Sequence, residues 1–278
     1  MLVNLKKILA PALKGGYGVG CFNVFGWEDA KAVVQAGEAL GAPVILSANL
    51  DLRDFMPLQV IAGMFRALGE AASVPVCAHL DHTYVVDEVL RAVDAGFTSV
   101  MFDGSQLPLE ENILKTQRVA DYAHAAGASA EAEIGSVPYA EGRDHIKAAL
   151  TEVVEAAALA EQSGLDALAV SVGNVHRLRA PGAEIDFARL AEIEARVAQP
   201  LVIHGTSGIH DADVGRLAAT RVCKFNVGTT LRQAFGRGLR EALAADPERF
   251  DRLEIMSEVM PKVTEETIRV IRLLGWRR

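Results

Sequence analysis

Four of the seven histidines in this chain, His79, His82, His176 and His204, fall where short apolar runs end. Three imidazoles with an open fourth position are what a catalytic zinc takes. Each of these histidines alone could be structural. Together they point to a metal, because histidines placed without purpose would scatter over helices and loops. Asp81 stands beside His82, well placed to exchange a proton with something bound to that metal. Asp103 and Glu133 also close apolar runs. They could orient a ligand histidine or hold the metal in an alternative position, and they could equally pair with Lys or Arg. Gly205-Thr206-Ser207-Gly208 follows His204 directly and offers backbone N–H groups and a hydroxyl to a phosphate.

These residues need elements that bring them to one place. Eight apolar runs read as strands: Gly18–Phe25, Pro43–Ala48, Pro75–Leu80, Ser99–Asp103, Ser129–Ile134, Ala167–Val172, Leu201–His204 and Cys223–Val227. Between them lie stretches of helical period: Glu28–Leu40, Leu58–Ala71, Asp87–Ala95, Leu109–Ala126, Lys147–Ser163, Phe187–Val197 and Asp211–Ala219. Gly41, Gly96, Gly127 and Gly164 stand after helices, where a left-handed cap is wanted. The alternation predicts an α/β fold, a (β/α)8 TIM barrel forming a single domain over residues 1–278. Leu231–Leu243 and Pro261–Leu274 read as extra terminal helices. An open doubly wound sheet would want a glycine-rich turn after its first strand, whereas Gly15-Gly16-Tyr17-Gly18 precedes it. In a barrel the active site lies at the C-terminal ends of the strands, the rim where the polar residues collect.

Composition narrows the class. Half of the chain is apolar, enough for a large core, and the net charge of -8 argues against nucleic acid as a partner. No apolar run reaches the roughly 20 residues that span a bilayer. Met1–Leu13 reads as a short amphipathic helix and not as a signal peptide. Cys21, Cys77 and Cys223 lack any CxxC spacing and read as buried, reduced thiols. A cytoplasmic enzyme is the natural expectation.

The chain resembles the class II fructose-bisphosphate and tagatose-bisphosphate aldolases. The likeness runs through Ala78-His79-Leu80-Asp81-His82, Phe102-Asp103-Gly104-Ser105, Glu131-Ala132-Glu133-Ile134-Gly135, His204-Gly205-Thr206-Ser207-Gly208 and Lys224-Phe225-Asn226-Val227. The resemblance implies that His82, His176 and His204 hold Zn2+ and that Asp81 moves the proton of the aldehyde-derived oxygen. Glu133 and Asp103 are similar to the acidic pair at a second divalent-metal position, and Asn226 to the group that steadies the enediolate. Gly205 and Ser207 look like part of the phosphate site, often accompanied by a monovalent cation. Lys224, Thr229 and Arg177 are further candidate substrate contacts. The implied partner is a small sugar phosphate, and the implied assembly a homodimer or homotetramer, with Leu273-Leu274-Gly275-Trp276 as a contact surface.

Three departures bear on the substrate. Arg177 stands where the family usually has glycine after the second zinc histidine. The strand end Asn226-Val227-Gly228-Thr229 carries Gly228 where the family has Asp or Ala. The segment Ser136–Asp144 is shortened, with Pro138 and Tyr139 in place of hinge glycines, and Glu141 at the position of the ketone acid–base. These changes suggest a ketose monophosphate, or a ketose with a different anionic or deoxy end read by Arg177 or Arg179. A Schiff-base aldolase using Lys224 is the alternative chemistry, but it leaves the rim histidines and Asp81 unexplained. A metal-dependent hydrolase would want a His-x-His pair on the first strand, and Cys21-Phe22-Asn23 offers none. A non-catalytic sugar-phosphate binder is the third reading.

Overall fold

The computed structural model describes residues 1–143 and 145–277; Asp144, at the end of the shortened segment, lies outside the described residues. The elements alternate as α1 Leu5–Gly15, β1 Val19–Asn23, α2 Trp27–Leu40, β2 Val44–Ala48, α3 Leu50–Phe55, α4 Leu58–Ala71, β3 Val76–Thr83, α5 Val86–Ala95 and β4 Ser99–Phe102. They continue as α6 Leu109–Ala125, β5 Ser129–Ile134, α7 Val153–Gln162, β6 Ala167–Val170, α8 Phe187–Glu194, β7 Leu201–Ile203, α9 Asp211–Ala218, β8 Val222–Val227, α10 Thr229–Ala245 and α11 Arg252–Leu273. The eight strands are all parallel and close into a barrel, β8 pairing with β1 through Cys21 and Asn226. The TIM barrel read from the alternation is therefore the fold.

Strand periodicity separates two cores. On β3, Val76, Ala78 and Leu80 join the layer between sheet and helices, while Cys77 between them packs inside the barrel. The lower end of the barrel is closed by α1. Its Leu5, Ile8, Leu9 and Ala12 pack against Val19, Cys21, Ile45, Cys77, Met101 and Val202. Each of the larger α1 side chains contributes about 1.5–3 kcal/mol by leaving water. The three cysteines are buried and free, and burial raises Cys77 and Cys223 to about 12, so they are inert neutral thiols.

The four expected glycine caps have left-handed backbone, with φ of 61°, 102°, 76° and 71° at Gly41, Gly96, Gly127 and Gly164. Several boundaries differ from expectation. Met1–Asn4 are not helical: Leu2 bridges to Val76, and the Asn4 side chain caps α1 by accepting from the Lys7 N–H. The stretch before α7 is tied down instead of coiled, because Ser136 pairs with Ala149 and the Thr151 N–H donates to Ser171 O. The last helix starts well before Pro261, where Asp251 caps it by accepting from the N–H groups of Leu253 and Glu254. Pro261 is accommodated inside this 22-residue helix. Helix α3 has only six residues, too few to show a helical period in the sequence; Asn49 caps it by accepting from the Leu52 N–H.

Candidate metal centre and active site

Adjacent residues of a regular strand face opposite sides, so Asp81 and His82 could not both enter one site from an unbroken β3. The pairing of β3 with β4 shifts register between Leu80 and Thr83. That irregularity turns both side chains toward the rim. Arg53 of α3 holds the irregular stretch from below, its Nη2 donating to the carbonyls of Asp81 (3.2 Å) and His82 (2.7 Å).

Nitrogens of His82, His176 and His204 converge within 4.8 Å of one another. His82 Nδ1 meets Asp103 Oδ2 at 2.8 Å, which leaves its Nε2 for the site. His204 is turned the other way: its Nε2 faces Glu131 Oε1 at 3.3 Å, and its Nδ1 lies 2.8 Å from His82 Nε2. His176 Nε2 is buried without a hydrogen-bond partner among the described residues. Three converging imidazoles, one of which carries a buried nitrogen without a partner among the described residues, fit a tetrahedral divalent cation with an open position. A second set, His82, Asp103 and Glu133, converges equally closely. Asp103 and Glu133 are thus engaged with the histidine side of the site, Asp103 also accepting from Ser105 N at 3.1 Å and Glu133 from Val137 N at 3.3 Å. His79 lies deeper, bonded to Ser99 Oγ at 2.8 Å and outside the converging set.

Without the cation, protons and charges share out in one way. Burial disfavours a charge on His82, but Tyr139, Asp81, the Asp103 hydrogen bond and Glu133 outweigh it and raise the ring well above its ordinary value. Burial and the charge on His82 push His176 down to about 3 and His204 well below its usual range. A single proton on His82, shared toward His204, therefore stands where a cation fits. Burial, with the Asp103 charge, pushes Glu133 up to about 8. For Asp81 the upward push of burial is overcome by His82, His204, Lys224 and His79, which hold its carboxyl well below the usual range. It is an ionised acceptor.

Asn226 of β8 orders this carboxylate, its Nδ2 donating to Asp81 Oδ1 at 2.9 Å. Its Oδ1 accepts from Lys224 Nζ at 2.6 Å, and Lys224 also donates to Glu131 at 3.0 Å. Lys224 is fully buried beneath the cavity and not on its wall. Burial works against its charge, yet negative partners including Glu131 and Asp81 keep its pKa above the ordinary lysine value. Lys224, bonded to Glu131 and Asn226, is thus not presented to a substrate in the cavity, which does not favour a Schiff base at this position. Glu131 was not singled out from the sequence, since nothing in Glu131-Ala132-Glu133 tells which carboxylate lies under the histidines.

The cavity above is lined by Asp81, His82, His176 and Asn226 on one side and by Gly205, Ser207, Gly228 and Thr229 on another. Gly205 has φ 70°, and a side chain there would run into the Val175 carbonyl at 2.3 Å. Thr229 begins the 17-residue α10, so N–H groups and the positive end of a helix face the cavity. Glycine at position 228 leaves space beside Asn23, whose Oδ1 is buried without a partner among the described residues.

The shortened segment after β5 is strapped to the His176 loop. Ala140 N donates to His176 O at 2.9 Å, His176 N donates to Pro138 O at 2.8 Å, and the Tyr139 ring stacks on His176 at 4.3 Å. Tyr139 thereby becomes a cavity residue. Glu141 does not: it is exposed and paired with Arg179 at 2.7 Å, and neither lines the cavity. Arg177 does line it, and it is the one non-glycine residue with positive φ among those described, at 62°. Its side chain meets Asp51 of α3.

The chain matches the family described as "Fructose-bisphosphate aldolase class-II" over residues 3–277. It is 35% identical over 274 residues to the "Sulfofructosephosphate aldolase" of Alkalicoccus urumqiensis, covering 96% of both chains. It is similar to the crystal structure of the YdjI aldolase from Escherichia coli K12, with 29% identity, a TM-score of 0.87, and coverage of 99% of this chain and 98% of that one. The fold is also that of the fructose-bisphosphate aldolase of Campylobacter jejuni, at 22% identity and a TM-score of 0.84, covering 99% and 95%. The chain belongs to the class II fructose-bisphosphate aldolase family and is an aldolase, a carbon–carbon lyase.

Proposed function

We propose that this enzyme is a zinc-dependent ketose-phosphate aldolase whose substrate carries a second anion besides the phosphate, as a sulfonated fructose phosphate does. The observation that carries the substrate reading is Arg177, set next to the ligand histidine His176 in a backbone conformation that favours glycine. It brings a guanidinium to the cavity wall, where Arg143 and Arg232 also stand. The name of the 35%-identical relative describes a substrate of this chemistry.

His82, His176 and His204 would hold the zinc, with Asp103 and Glu133 able to serve a second divalent position. Bound there, zinc supplies Lewis acidity toward the ketone. Asp81, ionised and oriented by Asn226, takes the hydroxyl proton from the carbon that becomes the aldehyde, and returns it in synthesis. The Asn226 amide is placed to donate to the enediolate left after cleavage. Gly205, Ser207 and Thr229 receive the phosphate at the start of α10. We further infer a cytoplasmic homo-oligomer; the exposed Phe55, Phe250 and Leu253 support self-association.

The test is cleavage of a panel of ketose 1-phosphates ending in sulfonate, phosphate or hydroxyl. The reading expects the sulfonated ketose to have the highest kcat/KM and Arg177→Gly to lower it most. Much faster cleavage of fructose 1,6-bisphosphate than of every alternative would overturn it.

A further inference from the structure

Asp51 belongs to none of the sequence motifs and does not itself line the cavity, yet three arginines that do line it, Arg143, Arg177 and Arg232, gather around its carboxylate. Arg177 Nη2 donates to its Oδ1 at 3.0 Å and its Oδ2 at 2.9 Å, and Arg143 Nη2 reaches Oδ1 at 3.4 Å. Arg232 Nη1 lies 4.0 Å from Oδ2. We propose that Asp51 sets the anion specificity of this aldolase, making the arginine cluster accept a singly charged sulfonate and resist a doubly charged phosphate. The inference rests on the sulfonated substrate proposed above.

A purely structural ion pair does not explain the arrangement. Asp51 and Arg177 are 35% and 28% exposed, so their attraction is screened. Such a pair contributes less than the left-handed backbone at Arg177 costs. A residue kept against its own backbone preference at a cavity wall points to a function there. The geometry also keeps donors in reserve. Asp51 takes only Nη2 of Arg177 and of Arg143, and the other guanidinium nitrogens of Arg177 have no hydrogen-bond partner among the described residues. Tyr139 fixes where they stand, its ring centroid 5.4 Å from the Arg143 guanidinium carbon and 5.5 Å from that of Arg177.

An oxyanion bound by these forks therefore lies close to the Asp51 carboxylate. Three guanidiniums alone would favour the more highly charged anion. Asp51 cancels one of their charges and adds a repulsion that grows with the charge of the guest. A sulfonate carries one negative charge, whereas a phosphate ester carries about 1.5 to 2 at pH 7. The carboxylate consequently penalises phosphate more than sulfonate, although both have the same tetrahedral outline.

The experiment compares kcat/KM for two ketose 1-phosphates that differ only in a terminal sulfonate or phosphate, on zinc-loaded wild type, Asp51→Asn and Asp51→Glu. The ratio of the two cancels changes in folding or metal content. Wild type is expected to prefer sulfonate. Asp51→Asn is expected to shift the ratio toward phosphate by about tenfold or more, chiefly through KM, while Asp51→Glu retains the wild-type direction. A wild-type preference for sulfonate that Asp51→Asn leaves unchanged, because both substrates weaken equally, would reduce Asp51 to a prop for Arg177 and overturn the inference alone. A wild type that does not prefer sulfonate would overturn the substrate reading and this inference together.

Discussion

His204 presents Nδ1 to His82 because Glu131 takes the other ring nitrogen, and Glu131 in turn offsets the buried ammonium of Lys224. Removing this carboxylate should therefore act twice. Glu131→Gln is expected to weaken zinc binding about 10- to 100-fold, since it loosens the orientation of a ligand. It should also cost about 3–5 kcal/mol in a denaturant melt, because Lys224 is left buried and uncompensated. Glu131→Met combined with Lys224→Met should restore most of that stability without restoring the affinity. The proton on His82 gives a second prediction. Its metal-free pKa is raised, so the charged ring contributes stability that is fully present below the unfolded value and is lost as pH rises through the folded value. If zinc binds through His82 as proposed, it displaces this proton, and affinity should increase about tenfold per pH unit while the pH stays below the His82 pKa. Calorimetry in buffers of different ionisation heat should count about one proton released from His82 at pH 7.

Helix α3 joins the two halves of the site, with Asp51 at the arginine cluster and Arg53 bonded to the carbonyls of Asp81 and His82. Arg53→Ala should remove charge-assisted bonds of about 1.5–3 kcal/mol each and let β3 relax toward regular pairing. Both kcat and zinc affinity should fall, with Arg53→Lys recovering part of each; a variant with unchanged zinc affinity would show that the strand holds its irregularity unaided. Legibility from the sequence divides at this scale. The convergence of His82, His176 and His204 beside Asp81 and Asn226 could be expected because each lies at or just beyond the end of an apolar run, and the barrel brings such ends together. The register shift at Leu80–Thr83 could not, because it arises from pairing with a strand some twenty residues away. Helix α3 was too short to give a period, and so Asp51 and Arg53 were invisible. Glu141 failed to reach the cavity for a related reason: Pro138 and Tyr139 fasten the loop to His176 and carry Glu141 out to Arg179.

At the scale of the molecule, the barrel separates stability from chemistry. The α1 plug fills the lower end, and the converging histidines stand at the other. Leu9→Ala in the plug should cost about 2–5 kcal/mol in an equilibrium melt. It should leave kcat of the surviving folded protein close to wild type, since no α1 side chain touches the cavity. A large loss of kcat per folded molecule would mean that the lower core sets the geometry of the rim. The alternation of eight strands and helices made this architecture legible from the sequence, because it depends on periodicity over the whole chain and not on any one boundary. The proposed self-association has no such period, and it rests on the exposed apolar side chains Phe55, Phe250 and Leu253.

We propose that a metal held by His82, His176 and His204 is required for carbon–carbon cleavage. It is tested most directly by following cleavage of the preferred ketose 1-phosphate on metal-analysed protein before chelation, after EDTA, and after zinc is returned, with borohydride present in a parallel reaction. Activity is expected to track bound zinc, disappear on chelation, return with zinc and be indifferent to borohydride. Activity that survives complete metal removal and is trapped by borohydride on Lys224 would contradict it, leaving the barrel and overturning the chemistry.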